Sequence, residues 1–432
     1  MAKKKVELTP EEKLAQALVP KEEQPYEIPE GWKWVHIGDV ASVKGGKRLP
    51  KGHELTEEKT KHPYIRVTDF CDGSVDCSNL KYITEETAES IKRYIITDQD
   101  VFISIAGTIG KVGIIPSFLN GSNLTENAAK LCELSSFVDN RYLCKVLSSP
   151  FSQLQISQST KTTTQAKLAL SRIENIIIPL PPLEDQQRIV ERIESLFSKL
   201  DEAKEKAQAV VDGFELRKSA ILHKAFSGEL TAKWREEHGV GLESWEKKTL
   251  GEVIYDVKDK YDPTADEFMD IPYVGLENIK SNCGIIGYNS SAEVKSVKTL
   301  FQKGDMLYGK LRPYLNKHDI TKFDGMCSTD ILVFRADDLA NLEYINYLFN
   351  TRNFISYAVD NSKGINLPRT SAKDVLRFVL EVPCLDEQKE IVRILGSLLA
   401  KEARAKEAAE AVLEQVEVMK KAVLARAFRG EL

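Results

Sequence analysis

The residues in this chain with the chemistry to recognise a ligand are basic and amide side chains on runs punctuated by glycine and proline. In the first half these are Lys44-Gly45-Gly46-Lys47-Arg48, Ser104-Ile105-Ala106-Gly107-Thr108-Ile109-Gly110-Lys111 and Ser159-Thr160-Lys161-Thr162-Thr163-Thr164-Gln165. In the second they are Lys258-Asp259-Lys260-Tyr261, Tyr308-Gly309-Lys310-Leu311-Arg312-Pro313-Tyr314-Leu315-Asn316-Lys317 and Ser362-Lys363-Gly364-Ile365-Asn366-Leu367-Pro368-Arg369. Lys and Arg on such loops neutralise phosphates, and Thr, Asn, Gln and Arg hydrogen-bond base edges. A solvated loop shares this composition, and glycine with proline in residues 309–313 also shapes a turn. Recurrence at matching places in the two halves favours recognition. The net charge of −5 provides no global basic bias, so basic faces must be local patches on an acidic body. Such a chain is expected to bind DNA poorly alone and to need partners that supply grip.

Catalytic patterns are missing from the places where they would stand. Gly107-Thr108-Ile109-Gly110-Lys111 resembles a phosphate loop, but Ile105 occupies the first glycine position and Val112 the magnesium-binding hydroxyl position, so hairpin sterics explain these glycines better. The six histidines are scattered without an HExxH pattern, which predicts no metal catalysis. Seven cysteines, an odd number without a CxxC pair, predict reduced thiols and neither disulfides nor structural zinc, with Cys71 and Cys77 spaced too widely for a zinc knuckle. No Asn-Pro-Pro-Tyr or Asp-Pro-Pro-Tyr motif of the kind that holds a flipped base is present. No active site, metal or cofactor is expected on this chain.

What positions the loops is an internal repeat. Residues 183–230 return without a gap as residues 385–432, at a constant offset of 202 with 22 identities in 48 pairs. Gap-free register over that length is how a continuous helix behaves. Ile189, Ile193, Leu196, Leu200, Ala203, Ala207, Val210 and Phe214 alternate steps of four and three, the seam of a coiled coil. The second seam reads Ile391, Leu395, Leu398, Ala405, Ala409, Val412 and Val416, with Glu402 where the first copy has Leu200. Each helix follows a proline-bearing strand-like run (Ile176-Ile177-Ile178-Pro179-Leu180-Pro181-Pro182; Phe378-Val379-Leu380-Glu381-Val382-Pro383) and closes at glycine, Gly228 or Gly430. A helix of about 40 residues is roughly 60 Å long, too long for one globular core, so the two stripes are expected to bury against each other.

The segments ahead of the helices are related more weakly. Trp32 with Ile37-Gly38-Asp39-Val40 answers Trp245 with Leu250-Gly251-Glu252-Val253, Pro63-Tyr64-Ile65 answers Pro272-Tyr273-Val274, Asp100-Val101-Phe102 answers Asp305-Met306-Leu307, and Tyr142 answers Tyr344. The offset falls from 213 to 202, so the framework is kept while loops change length, the pattern of a duplicated binding domain with two specificities. Glu7-Leu8-Thr9 also echoes Glu229-Leu230-Thr231, as though the chain were a closed ring. At 432 residues and 42% hydrophobic the chain accommodates two domains of about 150 residues. No apolar stretch reaches membrane-helix length, and Met1-Ala2-Lys3-Lys4-Lys5 leads into charged residues, which predicts a cytoplasmic protein without a signal peptide.

Ile178-Pro179-Leu180-Pro181-Pro182-Leu183-Glu184-Asp185-Gln186, Ala225-Phe226-Ser227-Gly228-Glu229-Leu230-Thr231, the 104–111 run and Tyr308-Gly309-Lys310-Leu311-Arg312-Pro313-Tyr314 resemble the specificity subunit of type I restriction-modification systems. The resemblance covers about residues 30–432 and departs at Val382-Pro383-Cys384, which replaces Leu-Pro-Pro at a helix entrance. It implies an α/β (α+β) fold with a pseudo-twofold repeat, in which an N-terminal tail (1–27) precedes a first target-recognition domain (28–178), a central long-helix region (179–240), a second recognition domain (241–380) and a distal long-helix region (381–432). The long helices would pair as an antiparallel coiled coil and act as a ruler between the domains. Each domain would read half of a bipartite double-stranded DNA site. Two modification subunits would bring S-adenosylmethionine and flip an adenine, and restriction subunits would bring ATP and magnesium. The DNA-binding set expected is Lys47, Arg48, Thr108, Lys111, Lys161, Thr162, Thr163 and Gln165 in the first domain, and Lys260, Lys310, Arg312, Tyr314, Asn366 and Arg369 in the second. Two alternatives remain beside this reading, a coiled-coil adaptor with paired protein-binding domains and a stand-alone nuclease or methyltransferase.

Overall fold

The computed structural model describes residues 18–160, 166–262, 267 and 270–432. The Glu7-Leu8-Thr9 echo therefore lies outside the described residues, as do Lys161, Thr162, Thr163 and Gln165. The chain divides into two compact units, Met1–Lys206 with Ala411–Leu432, and Ala207–Glu410. Each unit contains the start of one long helix and the end of the other.

In unit one an antiparallel sheet orders Ser42–Gly45, Ala128–Cys132, Val101–Ser104 and Val112–Gly113. A second sheet orders Lys81–Tyr82, Pro63–Ile65, Ser122–Leu124 and Ile95–Ile96, with Pro63–Ile65 and Ser122–Leu124 parallel. Unit two repeats the first sheet as Ile254–Asp256, Ile331–Ala336, Met306–Gly309 and His318–Ile320, and the parallel pair as Tyr273–Val274 beside Gly325–Cys327. The matched Asp100 and Asp305 each hold a cation from the neighbouring strand, with Lys130 Nζ on Asp100 at 2.8 Å and Arg335 Nε on Asp305 at 2.7 Å. Both carboxylates are buried and paired, as burial of charge requires.

The helix entrances are stapled by one motif residue. Gln186 is fully buried; it accepts from the Asp139 amide at 2.9 Å and donates to the carbonyls of Phe137 (2.8 Å) and Pro181 (2.9 Å). Gln388 repeats all three bonds with Asn341, Leu339 and Pro383. Tyr142 and Tyr344 complete the anchor by donating to the carbonyls of Pro179 and Glu381. A buried amide with every polar atom satisfied fixes the angle at which the helix leaves the domain.

The second long helix is unbroken, Leu385–Ala427, whereas the first runs Leu183–Asp212 and resumes as Phe214–Phe226. The expectation of one uninterrupted helix in each half is corrected at Gly213. A Cβ there would come within 2.3 Å of the Arg217 guanidinium, which folds back over the break to donate to the Val210 carbonyl at 2.7 Å. Within unit one the helices run antiparallel, with Lys204 on Glu417 at 2.7 Å and Lys420 on Asp201 at 2.5 Å. Within unit two Arg217 meets Glu402 at 2.7 Å and Lys406 lies over the Phe214 ring. The first seam is buried or half-buried at every expected position, but Ala405 and Val412 of the second are exposed. The buried stripe passes instead through Glu402, Lys406, Ala409, Leu413 and Val416, because a straight helix drifts about 20° per heptad from a strict seam. Both closing glycines adopt the left-handed conformation, φ +80° at Gly228 and +78° at Gly430. No helix among the described residues is long and apolar enough to cross a membrane.

Candidate nucleic-acid interface

In unit one the basic run leaves the sheet edge and is held against the turn before Ala128–Cys132. Gly46 N donates to the Ala128 carbonyl and Lys47 N to the Leu124 carbonyl, both at 2.9 Å. A Cβ on Gly46 would stand 2.0 Å from the Thr125 carbonyl oxygen, so glycine is what allows this approach. Tyr64 then donates to the Lys47 carbonyl at 2.7 Å, and Arg48 Nε reaches Glu126 at 2.8 Å. Burial alone would raise the Glu126 carboxyl, but hydrogen bonds from Arg48, its own backbone and Thr125 hold it below the usual range. Burial pushes the Tyr64 hydroxyl up to about 12, so it remains a donor. Arg48 itself is 80% exposed. These groups surround a cleft of about 420 Å³ that also takes in Arg66, Thr68, Thr125 and Asn127. Arg66 is held in place by Asp69, Nε to Oδ2 at 3.1 Å and a terminal nitrogen to Oδ1 at 2.6 Å.

The glycine run of residues 104–111 is the hairpin turn its sterics required. Gly107 and Gly110 have φ of +74° and +90°, Ser104 donates to the Thr108 carbonyl, and Lys111 N donates back to the Ser104 hydroxyl. Its base is tied to the neighbouring turn, with Ile105 N and Ala106 N on the Asn127 carbonyl at 2.8 and 3.2 Å. Thr108 is exposed at the tip. The Lys111 ammonium bonds the Phe70 carbonyl at 2.9 Å, beside a separate recess that shares no lining residue with the Arg48 cleft. The structure therefore groups Arg48 with Tyr64, Arg66 and Asn127, ties the Lys47 backbone to that cleft while its ammonium lies over the Tyr94 ring at 5.6 Å, and sets Lys111 apart.

Unit two brings Lys260 and Lys310 to one place. Burial raises the Asp256 carboxyl while Lys258, Lys260 and Lys310 pull it down, and burial lifts the Cys327 thiol to about 12 against Lys260, Lys298 and Lys310. Lys260 Nζ also donates to Thr299 at 2.7 Å. Lys310 leads into a loop sewn to its neighbours by three backbone bonds, Lys310 N to the Asp330 carbonyl (2.9 Å), Arg312 N to Pro368 (2.7 Å) and Thr370 N to Lys310 (3.0 Å). Lys363 and Arg369 exchange backbone bonds at 2.8 Å, which closes a hairpin tip that exposes Asn366. Arg369 Nε reaches Asp330 at 3.2 Å. Arg312 and Asn316 are held at φ of +54° and +45°, left-handed backbone that side chains other than glycine adopt at a cost. Arg312 and Tyr314 project into solvent from this strained turn. Beneath it Asn316 and His318 are buried and mutually bonded, and burial lowers the His318 pKa, which keeps the ring neutral.

Arg66, Thr68, Asn127 and Asp330 join these sites without having stood out in the sequence. A signal for the first pair was present, since the residues just past the matched Pro-Tyr strand differ between the halves, Arg66-Val67-Thr68 against Gly275-Leu276-Glu277. Asn127 and Asp330 gave no such signal, because only folding brings them to the basic runs.

A family model described as the type I restriction modification DNA specificity domain matches residues 29–211 and 242–415. The chain is 31% identical over 220 residues to the type I restriction enzyme EcoBI specificity subunit of Escherichia coli, covering 49% of this chain and 44% of that protein. It thus spans less than half the length of that relative. It is 23% identical over 435 residues to the StySPI specificity subunit of Salmonella potsdam, covering 94% and 90% of the two chains. In fold it is similar to the crystal structure of the HsdS subunit from Thermoanaerobacter tengcongensis, with a TM-score of 0.66 and 22% identity over 95% of this chain and all of the other.

Proposed function

The chain belongs to the type I restriction modification DNA specificity family, and we propose that it is the subunit that reads the DNA sequence for a restriction-modification complex, one half-site per unit. The observation that carries this reading is the pair of basic loop assemblies, one in each unit, built on the same sheet with different side chains. Lys47, Arg48, Arg66 and Asn127 stand in one and Lys260, Lys310, Arg312 and Arg369 in the other. A common frame with different reading groups matches two unlike half-sites, so the site is bipartite and asymmetric. Arg312 and Arg369 supply bidentate contacts to guanine, Arg48 meets phosphate, and Thr108, Asn127, Asn366 and the 161–165 run supply the hydroxyl and amide contacts.

The chain itself is non-catalytic in this reading. Two modification subunits bring S-adenosylmethionine and the pocket that receives a flipped adenine, and restriction subunits bring ATP and magnesium, in the cytoplasm. The adaptor alternative is not favoured, because it leaves the two different basic faces without a role. The test is to co-express the chain with its modification subunit and map adenine methylation across the host genome. A split motif with an unspecific gap, lost when this chain is omitted, is expected. A stable complex with no motif-specific methylation would reject the reading.

A further inference from the structure

The repeat builds one groove in each unit, and the two are furnished differently. In unit one Tyr26 fills it. Its ring lies edge-on to Trp34 at 4.9 Å and Phe151 at 5.5 Å, the Arg429 guanidinium covers it at 5.5 Å, and its hydroxyl donates to the Phe428 carbonyl at 3.1 Å. Burial pushes that hydroxyl up to about 12. The segment carrying it runs along strand Lys33–His36, with Val19 N on the Trp34 carbonyl at 3.0 Å. It then passes Gly430, where a Cβ would meet Pro29 at 2.2 Å.

The residues of unit two that answer Trp34, Phe151, Phe428 and Arg429 are Lys247, Asn353, Phe226 and Ser227, and all four line an open groove of about 540 Å³ floored by Leu222 and Phe378. The chain starts along the same route, since a Cβ at Gly228 would meet Leu242 as one at Gly430 would meet Pro29. It does not fill the groove, because the adjoining segment is drawn to Glu387, which takes hydrogen bonds from Thr231, Arg235 and Trp245. Charge has been redistributed along the wall, with Lys247 in place of Trp34 and Arg352 in place of Pro150, while Ser227 replaces Arg429 and Glu381 replaces Pro179. The occupant of the unit-one groove is itself acidic, Lys21-Glu22-Glu23-Gln24-Pro25-Tyr26-Glu27.

We propose that the unit-two groove binds an extended, acidic segment of a protein partner, seating an aromatic ring between Asn353 and Phe226 as Tyr26 sits between Phe151 and Phe428. Lys247 and Arg352 face the carboxylates of that segment, and the Phe226 carbonyl accepts from its hydroxyl. The partner is the modification subunit. That assignment rests on the function proposed above, whereas the chemistry of the bound segment does not.

Two measurements test this. A fluorescein-labelled peptide with the sequence of residues 18–31 is titrated into the full chain and followed by anisotropy. Saturable binding is expected, weakened at least tenfold by alanine at the Tyr26 position of the peptide and by Lys247→Glu with Arg352→Glu in a chain whose melting temperature is unchanged. Absence of saturable binding overturns the proposal, and so does binding that ignores the charge reversal, which would place the peptide in the unit-one groove. In the second measurement a photocrosslinking residue replaces Asn353 in the chain assembled with its modification subunit and DNA. A crosslink to that subunit is expected, and a crosslink to DNA or none overturns the assignment. Methylation mapped in the same cells separates the two ideas: a motif without the crosslink rejects the groove alone, and no motif rejects the functional reading.

Discussion

Arg217 donates to Glu402 at 2.7 Å across the paired helices of unit two, and the repeat puts Met419 and Leu200 at the corresponding positions of unit one. A polar residue that interrupts one apolar seam is thus accompanied by a change on the opposite helix, and in unit one Met419 is exposed while Leu200 is half-buried. Arg217 and Glu402 are part-exposed, at 38% and 24%, so solvent screens the pair and it contributes modestly. Arg217→Met or Glu402→Leu alone is expected to lower stability by about 1 kcal/mol, and the double variant to recover most of it. Urea denaturation of the four proteins measures this, and strictly additive losses would refute the coupling.

The buried charge at Glu387 differs in kind. Its carboxylate is fully buried and bonded to Arg235 at 2.6 Å, Thr231 at 2.6 Å and Trp245 at 2.9 Å. Arg235→Met leaves that charge without its counterion and is expected to cost about 3–5 kcal/mol. Asp185, the residue that answers Glu387, pairs with the exposed Arg188, and Asp185→Asn is expected to cost less than about 0.5 kcal/mol. Comparable losses in thermal unfolding of the two variants would contradict the assignment.

Gly46→Ala drives a methyl group into the Thr125 carbonyl. The basic run must then move off the turn that carries Glu126 and Asn127, at a cost of about 1–3 kcal/mol. Methylation mapping is expected to show the first half-site degraded and the second intact. Degradation of both together would mean that the units do not read independently.

Arg312 sits in left-handed backbone at φ +54°, so glycine and alanine there separate conformation from chemistry. Arg312→Gly relieves the strain and Arg312→Ala keeps it, yet both are expected to lose about 1–3 kcal/mol of specific affinity and relax one position of the second half-site. If glycine retained the wild-type motif, the residue's role would be to shape the turn.

Asn127→Ala is expected to relax one position of the first half-site with a similar loss. Arg48→Ala, at an exposed side chain that bonds Glu126, should weaken binding to all sequences alike if it meets phosphate. Affinities measured at two salt concentrations tell these apart, since losing a phosphate contact lowers the salt slope by about one.

Much of the framework could be read from the residues. The gap-free repeat marked both helices, the glycines at 107 and 110 marked a hairpin, and the closing glycines marked both helix ends, because each depends on backbone geometry within a few residues. The break at Gly213 was marked by the glycine itself, but the gap-free register outweighed that mark, and two seam positions fall elsewhere because helical drift outweighs a strict period. Nor do the residues alone reveal that Gln186 and Gln388 staple the helix entrances, that Lys260 joins Lys310, or that Arg66 and Asn127 complete the cleft beside Arg48. That one groove is filled by Tyr26 while its counterpart stays open is equally hidden in the sequence. Those arrangements join side chains from distant segments, and no spacing in the chain encodes them; the packing of the sheets and the burial of their polar partners set them.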